Sequence, residues 1–126
     1  MTILILDCPF VPISVNALYR VSRGRMYKTA RFRELRVILQ SLLDSDWKIY
    51  PLDQKLSLSI EVYYSDRRSR DIDNCLKCLL DLCNGTVWAD DSQISQIEIV
   101  KLSDSHKHTK LFVQPYGRET NDESVG

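Results

Sequence analysis

The chain has no long apolar run. Nothing in its 126 residues approaches the roughly 20 apolar positions that a bilayer-spanning helix needs, so the sequence reading excludes a helical membrane protein. The apolar opening Thr2-Ile3-Leu4-Ile5-Leu6 is too short for a secretory signal, has no basic segment ahead of it and stops at Asp7. The expectation is therefore a cytoplasmic protein with reduced thiols. Glycine and proline are scarce, at 4 each, and there is no low-complexity tract or internal repeat. Net charge is absent too, with 17 basic against 17 acidic residues, so global charge argues neither for nor against a nucleic-acid partner. The 4 cysteines are Cys8, Cys75, Cys78 and Cys83. Cys75 and Cys78 have CxxC spacing, but no second Cys/His pair lies at zinc-finger distance and the motif does not open a thioredoxin-like helix, so a Cys/His metal sensor is only a minor alternative. His106 and His108 fall in a polar loop and read as surface residues.

What remains is ordinary globular composition, 44% apolar and 27% charged, in a length that makes one domain with a core of its own. Residues 2–8 read as a strand ended by Pro9. Residues 19–28 surround Arg23-Gly24-Arg25, a tight turn, and predict a basic hairpin-like loop. Thr29 is placed to cap a helix over 30–46 with Phe32, Leu35, Ile38, Leu39, Leu42 and Leu43 on one face. Residues 56–64 alternate, with Leu56, Leu58, Ile60, Val62 and Tyr64 pointing one way, which predicts a half-buried strand. A second helix follows over 72–83, with Ile72, Cys75, Leu76, Leu79, Leu80 and Cys83 facing the core and Asn84-Gly85 ending it. Two further strands, 94–102 and 109–114, are expected to pair as a hairpin. The fold class is α+β: one mixed four-stranded sheet packed by two helices over residues 1–116, with a polar disordered tail at 117–126.

Charge that cancels globally is concentrated locally. Arg20, Arg23, Arg25, Lys28, Arg31, Arg33 and Arg36 stand against the single acid Glu34, a stretch that attracts phosphate backbones. A second basic run, Arg67-Arg68-Ser69-Arg70, leads directly into Asp71-Ile72-Asp73-Asn74-x-x-Lys77, and Asp90-Asp91 precedes the next strand. Asp71 and Asp73 fall at the start of the second helix, where capping alone accounts for one carboxylate but not for two. Clustered carboxylates repel one another unless a hard cation neutralises them, so the pattern predicts Mg²⁺, or Mn²⁺, on Asp71, Asp73 and Asp91. The strand after the helix is expected to return Asp91 to the same sheet end. Lys77 would hold a phosphate or help orient or deprotonate a water, and Asn74 would support a ligand by hydrogen bonding. Spacing alone hardly separates Asp90 from Asp91 as the ligand. Acids beside bases in this way indicate phosphodiester chemistry.

The motif Arg70-Asp71-Ile72-Asp73-Asn74-x-x-Lys77 followed by Trp88-x-Asp90-Asp91-x-Gln93 resembles the RusA family of Holliday-junction resolvases, with weaker support from Pro12-x-Ser14-x-Asn16-x-x-Tyr19-Arg20 and Arg23-Gly24-Arg25. The resemblance runs over residues 9–102. It implies a homodimeric, Mg²⁺-dependent endonuclease, often encoded by phages and prophages, that nicks two opposing strands of a four-way DNA junction symmetrically. In the family three aspartates bind metal and a lysine assists. Those roles fall on Asp71, Asp73, Asp91 and Lys77, while Arg20, Arg23, Arg25, Lys28, Arg31, Arg67, Arg68 and Arg70 would contact DNA. The alternatives are a nuclease for other branched DNA and a junction-binding module without catalysis.

Overall fold

The alternation over residues 56–64 produces the strand on which the rest of the domain is assembled. In the computed structural model, which describes residues 4–43 and 50–117, it is β4, Leu56–Tyr64. Leu56, Leu58, Ile60, Val62 and Tyr64 are all buried, while Ser57, Ser59, Glu61 and Tyr63 are only half-covered. Around β4 the chain lays β1 (Leu4–Cys8), a single helical turn α1 (Val15–Leu18), β2 (Tyr19–Ser22), β3 (Arg25–Lys28) and α2 (Ala30–Ser41). After β4 come α3 (Ile72–Cys83), a 3₁₀ turn at Asp91–Gln93, β5 (Ile94–Ser103) and β6 (His108–Pro115). The main sheet has four strands in the order β1-β6-β4-β5, and β2 and β3 form a separate antiparallel ribbon. There are thus three helices among the described residues, one of them a single turn, where the sequence predicts two.

One expected pairing is corrected. β5 and β6 are not a hairpin: β6 inserts between β1 and β4, antiparallel to both, and β5 lies parallel to β4 at the sheet edge. The reason lies in which strands can be covered. β6 alternates buried Thr109, Leu111 and Val113 with partly covered residues, as an interior strand does, whereas β5 is exposed at most positions and keeps only Ile94, Ile97 and Ile99 against the core. Parallel pairing of β4 with β5 requires a crossover, and α3 is that crossover.

The helices cover one face. Phe32, Leu35 and Leu39 of α2 and Cys75, Cys78, Leu79, Leu82 and Cys83 of α3 meet the inward side chains of β1, β4 and β6. The buried stripe of α3 is turned from the expected one: Ile72 is exposed, Leu76 and Leu80 are only partly covered, and Cys78 and Leu82 take the central places. On α2, Leu42 falls outside the core and Ile38 is half-covered. The C-terminal part of the 30–46 helix, residues 2–3 of the first strand and the tail from 118 onward lie outside the described residues.

Thr29 caps α2 as expected, accepting from the Phe32 N–H at 3.2 Å, and its hydroxyl also donates to the Ala17 carbonyl at 2.7 Å. One side chain therefore ties the helix start to the segment that launches the β2–β3 ribbon. Thr29→Ala is expected to lower unfolding free energy by about 1–2 kcal/mol, the range of a lost N-cap, measured by urea titration at unchanged m-value.

Candidate functional site

The parallel β4–β5 pair decides where the acids lie. Register places Leu56 against Ile94 and Tyr64 against Ser103, so β5 starts beside the start of β4. The chain leaves β4 at Tyr64, runs back along α3, and only then reaches Asp90 and Asp91. Asp71 and Asp73 consequently stand at the Tyr64 end of the sheet, and Asp91 at the Leu56 end. The 12 residues of α3 span about 17 Å and the 9 of β4 about 26 Å between first and last Cα. Asp91 is not returned to the sheet end that carries Asp71 and Asp73, because a helical crossover between parallel strands delivers the chain to the opposite end. Among the described residues of a single chain, no three acidic, histidine or cysteine side chains converge as a metal site.

At the N-terminal end of α3, Asp71 occupies the cap position with extended backbone, yet its carboxylate makes no capping hydrogen bond. Its carbonyl, not its side chain, accepts the Cys75 N–H at 3.2 Å. Asp73 Oδ1 accepts the Asn74 N–H at 3.0 Å. Both acids are exposed, one before and one within a helix turn whose unpaired N–H groups favour negative charge. The capping explanation for two acids at this helix start therefore leaves the Asp71 carboxylate unaccounted for. Beside it opens a cleft of about 470 Å³ whose wall includes Ser14, Arg68, Ser69, Asp71 and Asn74.

Arg70 is committed locally. Its Nη1 and Nη2 meet Asp66 Oδ1 and Oδ2 at 2.5 and 3.0 Å, its guanidinium lies 4.0 Å from the centroid of the Tyr64 ring, and its carbonyl accepts from Lys101 Nζ. That forked pair, with the Arg68 N–H also donating to Asp66, holds the Asp66 carboxyl well below the usual carboxylate range. Arg70 thus organises the 65–70 loop, whereas Arg67 and Arg68, also exposed, make no ion pair among the described residues.

Lys77 is one turn from Asp73 but leans the other way, to Asp81 Oδ2 at 3.5 Å. Asp81 also accepts from the Tyr19 hydroxyl at 3.1 Å, and burial together with that bond pushes Tyr19 up to about 12. The Lys77–Asp81 pair is mostly solvent-exposed on the lysine side and sits in the weaker order for a helix, cation before anion, so little energy holds Lys77 there. Sequence reasoning does not single out Asp81, although its spacing of four from Lys77 is a visible signal.

At the other end, the two adjacent acids have different tasks. Asp90 caps the 3₁₀ turn: its Oδ2 accepts the Ser92 N–H at 2.9 Å, and its own N–H donates to Gln93 Oε1 at 2.8 Å. Hydrogen bonding from Ser92 holds the Asp90 carboxyl below its ordinary value. Asp91 Oδ1 accepts from the indole Nε1–H of Trp88 at 2.7 Å, and the Trp88 ring is almost wholly buried. A rigid core aromatic thereby orients one carboxylate oxygen and leaves the other outside that bond. Gln93 Nε2 fastens the turn to the Leu52 and Gln54 carbonyls at 3.0 and 2.8 Å. Sequence reasoning does not identify Trp88 as the positioner of Asp91; the need of a buried indole N–H for an acceptor is the available clue.

The remaining cations are displayed on the ribbon and on α2. Arg20, Arg23, Arg25 and Lys28 are exposed, and the three arginines form no ion pair among the described residues. Lys28 Nζ lies 5.1 Å from the Phe32 ring centroid, and Arg31 bridges to Glu34 at 3.3 Å. The four thiols are buried and unpaired with one another, and burial pushes Cys8 up to about 12 and Cys78 up to about 11.

A comparison with protein families decides the kinship. The model of endodeoxyribonuclease RusA matches residues 9–114. The chain belongs to the RusA family. The crossover junction endodeoxyribonuclease RusA of Escherichia coli K12 is 34% identical over 97 residues, covering 72% of this chain and 77% of that protein. The protein of the same name from Enterobacteria phage 82 is 35% identical over the same length, with the same shares covered. That of Shigella sonnei is 34% identical over 97 residues, again with 72% and 77% covered. No helix among the described residues is long and apolar enough to cross a membrane.

Proposed function

We propose that this RusA-family chain is a Mg²⁺-dependent endodeoxyribonuclease that resolves four-way DNA junctions as a homodimer, with each active site built from two chains. Asp71 and Asp73 of one protomer would meet Asp91 of the other, since a single chain holds them at opposite ends of α3. The observation that carries this reading is the pair of exposed carboxylates at the α3 N-terminus, Asp71 without a capping bond, beside a cleft walled by Ser14, Arg68 and Asn74.

The donor set fits a hard divalent cation: all three side chains offer carboxylate oxygen, and the four thiols are buried. Bound there, Mg²⁺, or Mn²⁺ in its place, supplies Lewis-acid polarisation of a phosphoryl oxygen and a more acidic water. The chain's own groups bind and orient. Arg67 and Arg68 draw the strand toward the acids, and Trp88 fixes one oxygen of Asp91. Lys77, weakly held by Asp81, is free to turn toward the phosphate or the attacking water. Asn74 supports its acidic neighbours by hydrogen bonding, and Asp90 holds the turn that carries Asp91. A two-fold dimer would present two such sites to a two-fold substrate.

A labelled four-way junction incubated with the protein tests the reading. The expected result is paired nicks on opposing strands with Mg²⁺, and intact DNA that remains bound to the protein when EDTA removes the metal. Equal cutting of linear duplex would favour a nuclease without junction selectivity, and binding without any cutting in Mg²⁺ or Mn²⁺ would favour a binding module.

A further inference from the structure

The β2–β3 ribbon carries a feature that the acidic site leaves unused. Its four residue pairs are Tyr19↔Lys28, Arg20↔Tyr27, Val21↔Met26 and Ser22↔Arg25. Cross-strand partners share a face, so Arg20, Tyr27, Ser22 and Arg25 lie on one side, and Tyr19, Lys28, Val21 and Met26 on the other. The second side changes character along its length. At the base, Tyr19 packs on the Phe32 ring, centroids 5.5 Å apart, and Lys28 lies over that ring. Further out, Val21 and Met26 are 69% and 66% exposed. The ribbon closes in a two-residue turn with Arg23 and Gly24 both at positive φ, 54° and 75°. That turn geometry suits the twist of a narrow two-stranded ribbon.

Two apolar side chains so exposed, on a ribbon that carries Lys28 on the same side, Arg23 at its tip and Arg20 and Arg25 on the opposite side, call for an occupant. A second copy docking this face on itself would bring two cation-rich ribbons together, Lys28 and the tip residue Arg23 foremost, since an isologous contact brings each patch to its own likeness. A polyanion with apolar surface inside it matches both features: phosphates for the cations, and base faces for Val21 and Met26. In a continuous duplex those faces are stacked away, whereas a branch point offers ends of stacks. Apolar wedges of this kind, methionine among them, enter base steps in other DNA-binding proteins.

We infer that the β2–β3 ribbon is a wedge that inserts Val21 and Met26 into the base stack at the branch point, while Arg20, Arg23 and Arg25 hold the flanking phosphates. The inference rests on the proposed junction substrate and adds to it a part that opens the DNA. It assigns branch-point distortion to residues other than the acids, and it makes binding and opening separable.

The test is the double variant Val21→Ser/Met26→Gln in the full-length chain, whose substituted positions are solvent-exposed and outside the core. A four-way junction carrying 2-aminopurine beside the branch point reports unstacking by its fluorescence, measured in EDTA so that cutting plays no part. The wild type is expected to raise the fluorescence several-fold, and the variant to bind the junction with affinity within about threefold while leaving the fluorescence near that of free DNA. With Mg²⁺ the variant should cut an intact junction about tenfold more slowly, and a junction with unpaired bases at its centre at close to the wild-type rate. A variant that raises the fluorescence as the wild type does overturns the wedge. So does a variant whose mass by light scattering is halved, since the face would then belong to a second copy. A wild type that opens the branch point yet cuts no branched DNA leaves the wedge standing and removes the nuclease reading instead.

Discussion

Asp73→Asn, and separately Asp71→Asn, is expected to abolish strand cutting while leaving junction binding near the wild-type level. Each substitution removes a hard anionic ligand, and a loss on the order of 10³-fold in rate corresponds to about 4 kcal/mol of transition-state stabilisation. The fold should survive. Both side chains are exposed, Asp71 makes no capping bond, and the favourable field of the helix N-terminus is worth only about 0.3–1 kcal/mol at such a site. Binding should survive because the cations proposed to hold the DNA, Arg20, Arg23, Arg25, Arg67 and Arg68, are left unchanged. Gel shift in EDTA and cleavage in Mg²⁺, on the same preparations, read the two properties apart. Cutting by both variants at the wild-type rate would remove these carboxylates from the chemistry.

The second large effect separates two neighbours. Asp91→Asn should cost on the order of 10³-fold in cutting, while Asp90→Asn should stay within about threefold. Asparagine caps a helical turn as well as aspartate does, so Asp90→Asn keeps the bond to the Ser92 N–H and with it the turn. In the Asp91→Asn variant the new side-chain amide oxygen can still accept from the Trp88 indole, so the loss is one of charge, not of position. Cleavage rates of the two variants side by side check the distinction. Equal loss in both would mean that the capping role of Asp90 does not describe its whole contribution.

The local elements are legible in the sequence because they depend on neighbours in the chain. The 56–64 alternation, the Thr29 cap and the Arg23-Gly24 turn are each short-range physics, and each stands in the structure. Strand order is not legible in the same way. Residues 94–102 and 109–114 look like a hairpin because only a short polar segment joins them, yet the better-covered β6 takes the interior place and β5 the edge. That one topological fact also separates Asp91 from Asp71 and Asp73, since nearness in sequence to the α3 motif says nothing about which end of the sheet the chain reaches. Hydrogen bonds distinguish Asp90 from Asp91 in a way spacing cannot: one carboxylate is used by its own turn, the other is aimed by Trp88. Lys77 leans to Asp81, not toward Asp73, because an acid one turn on in the helix attracts it in either direction.

The most direct test of a site shared between two chains is to mix inactive proteins. Differently tagged Asp73→Asn and Asp91→Asn chains are refolded together, and the dimers carrying both tags are isolated and given a labelled four-way junction with Mg²⁺. If Asp71 and Asp73 of one chain work with Asp91 of the other, one site in each mixed dimer is intact, and single nicks appear where neither parent cuts. A mixed dimer as inert as its parents would contradict the shared site.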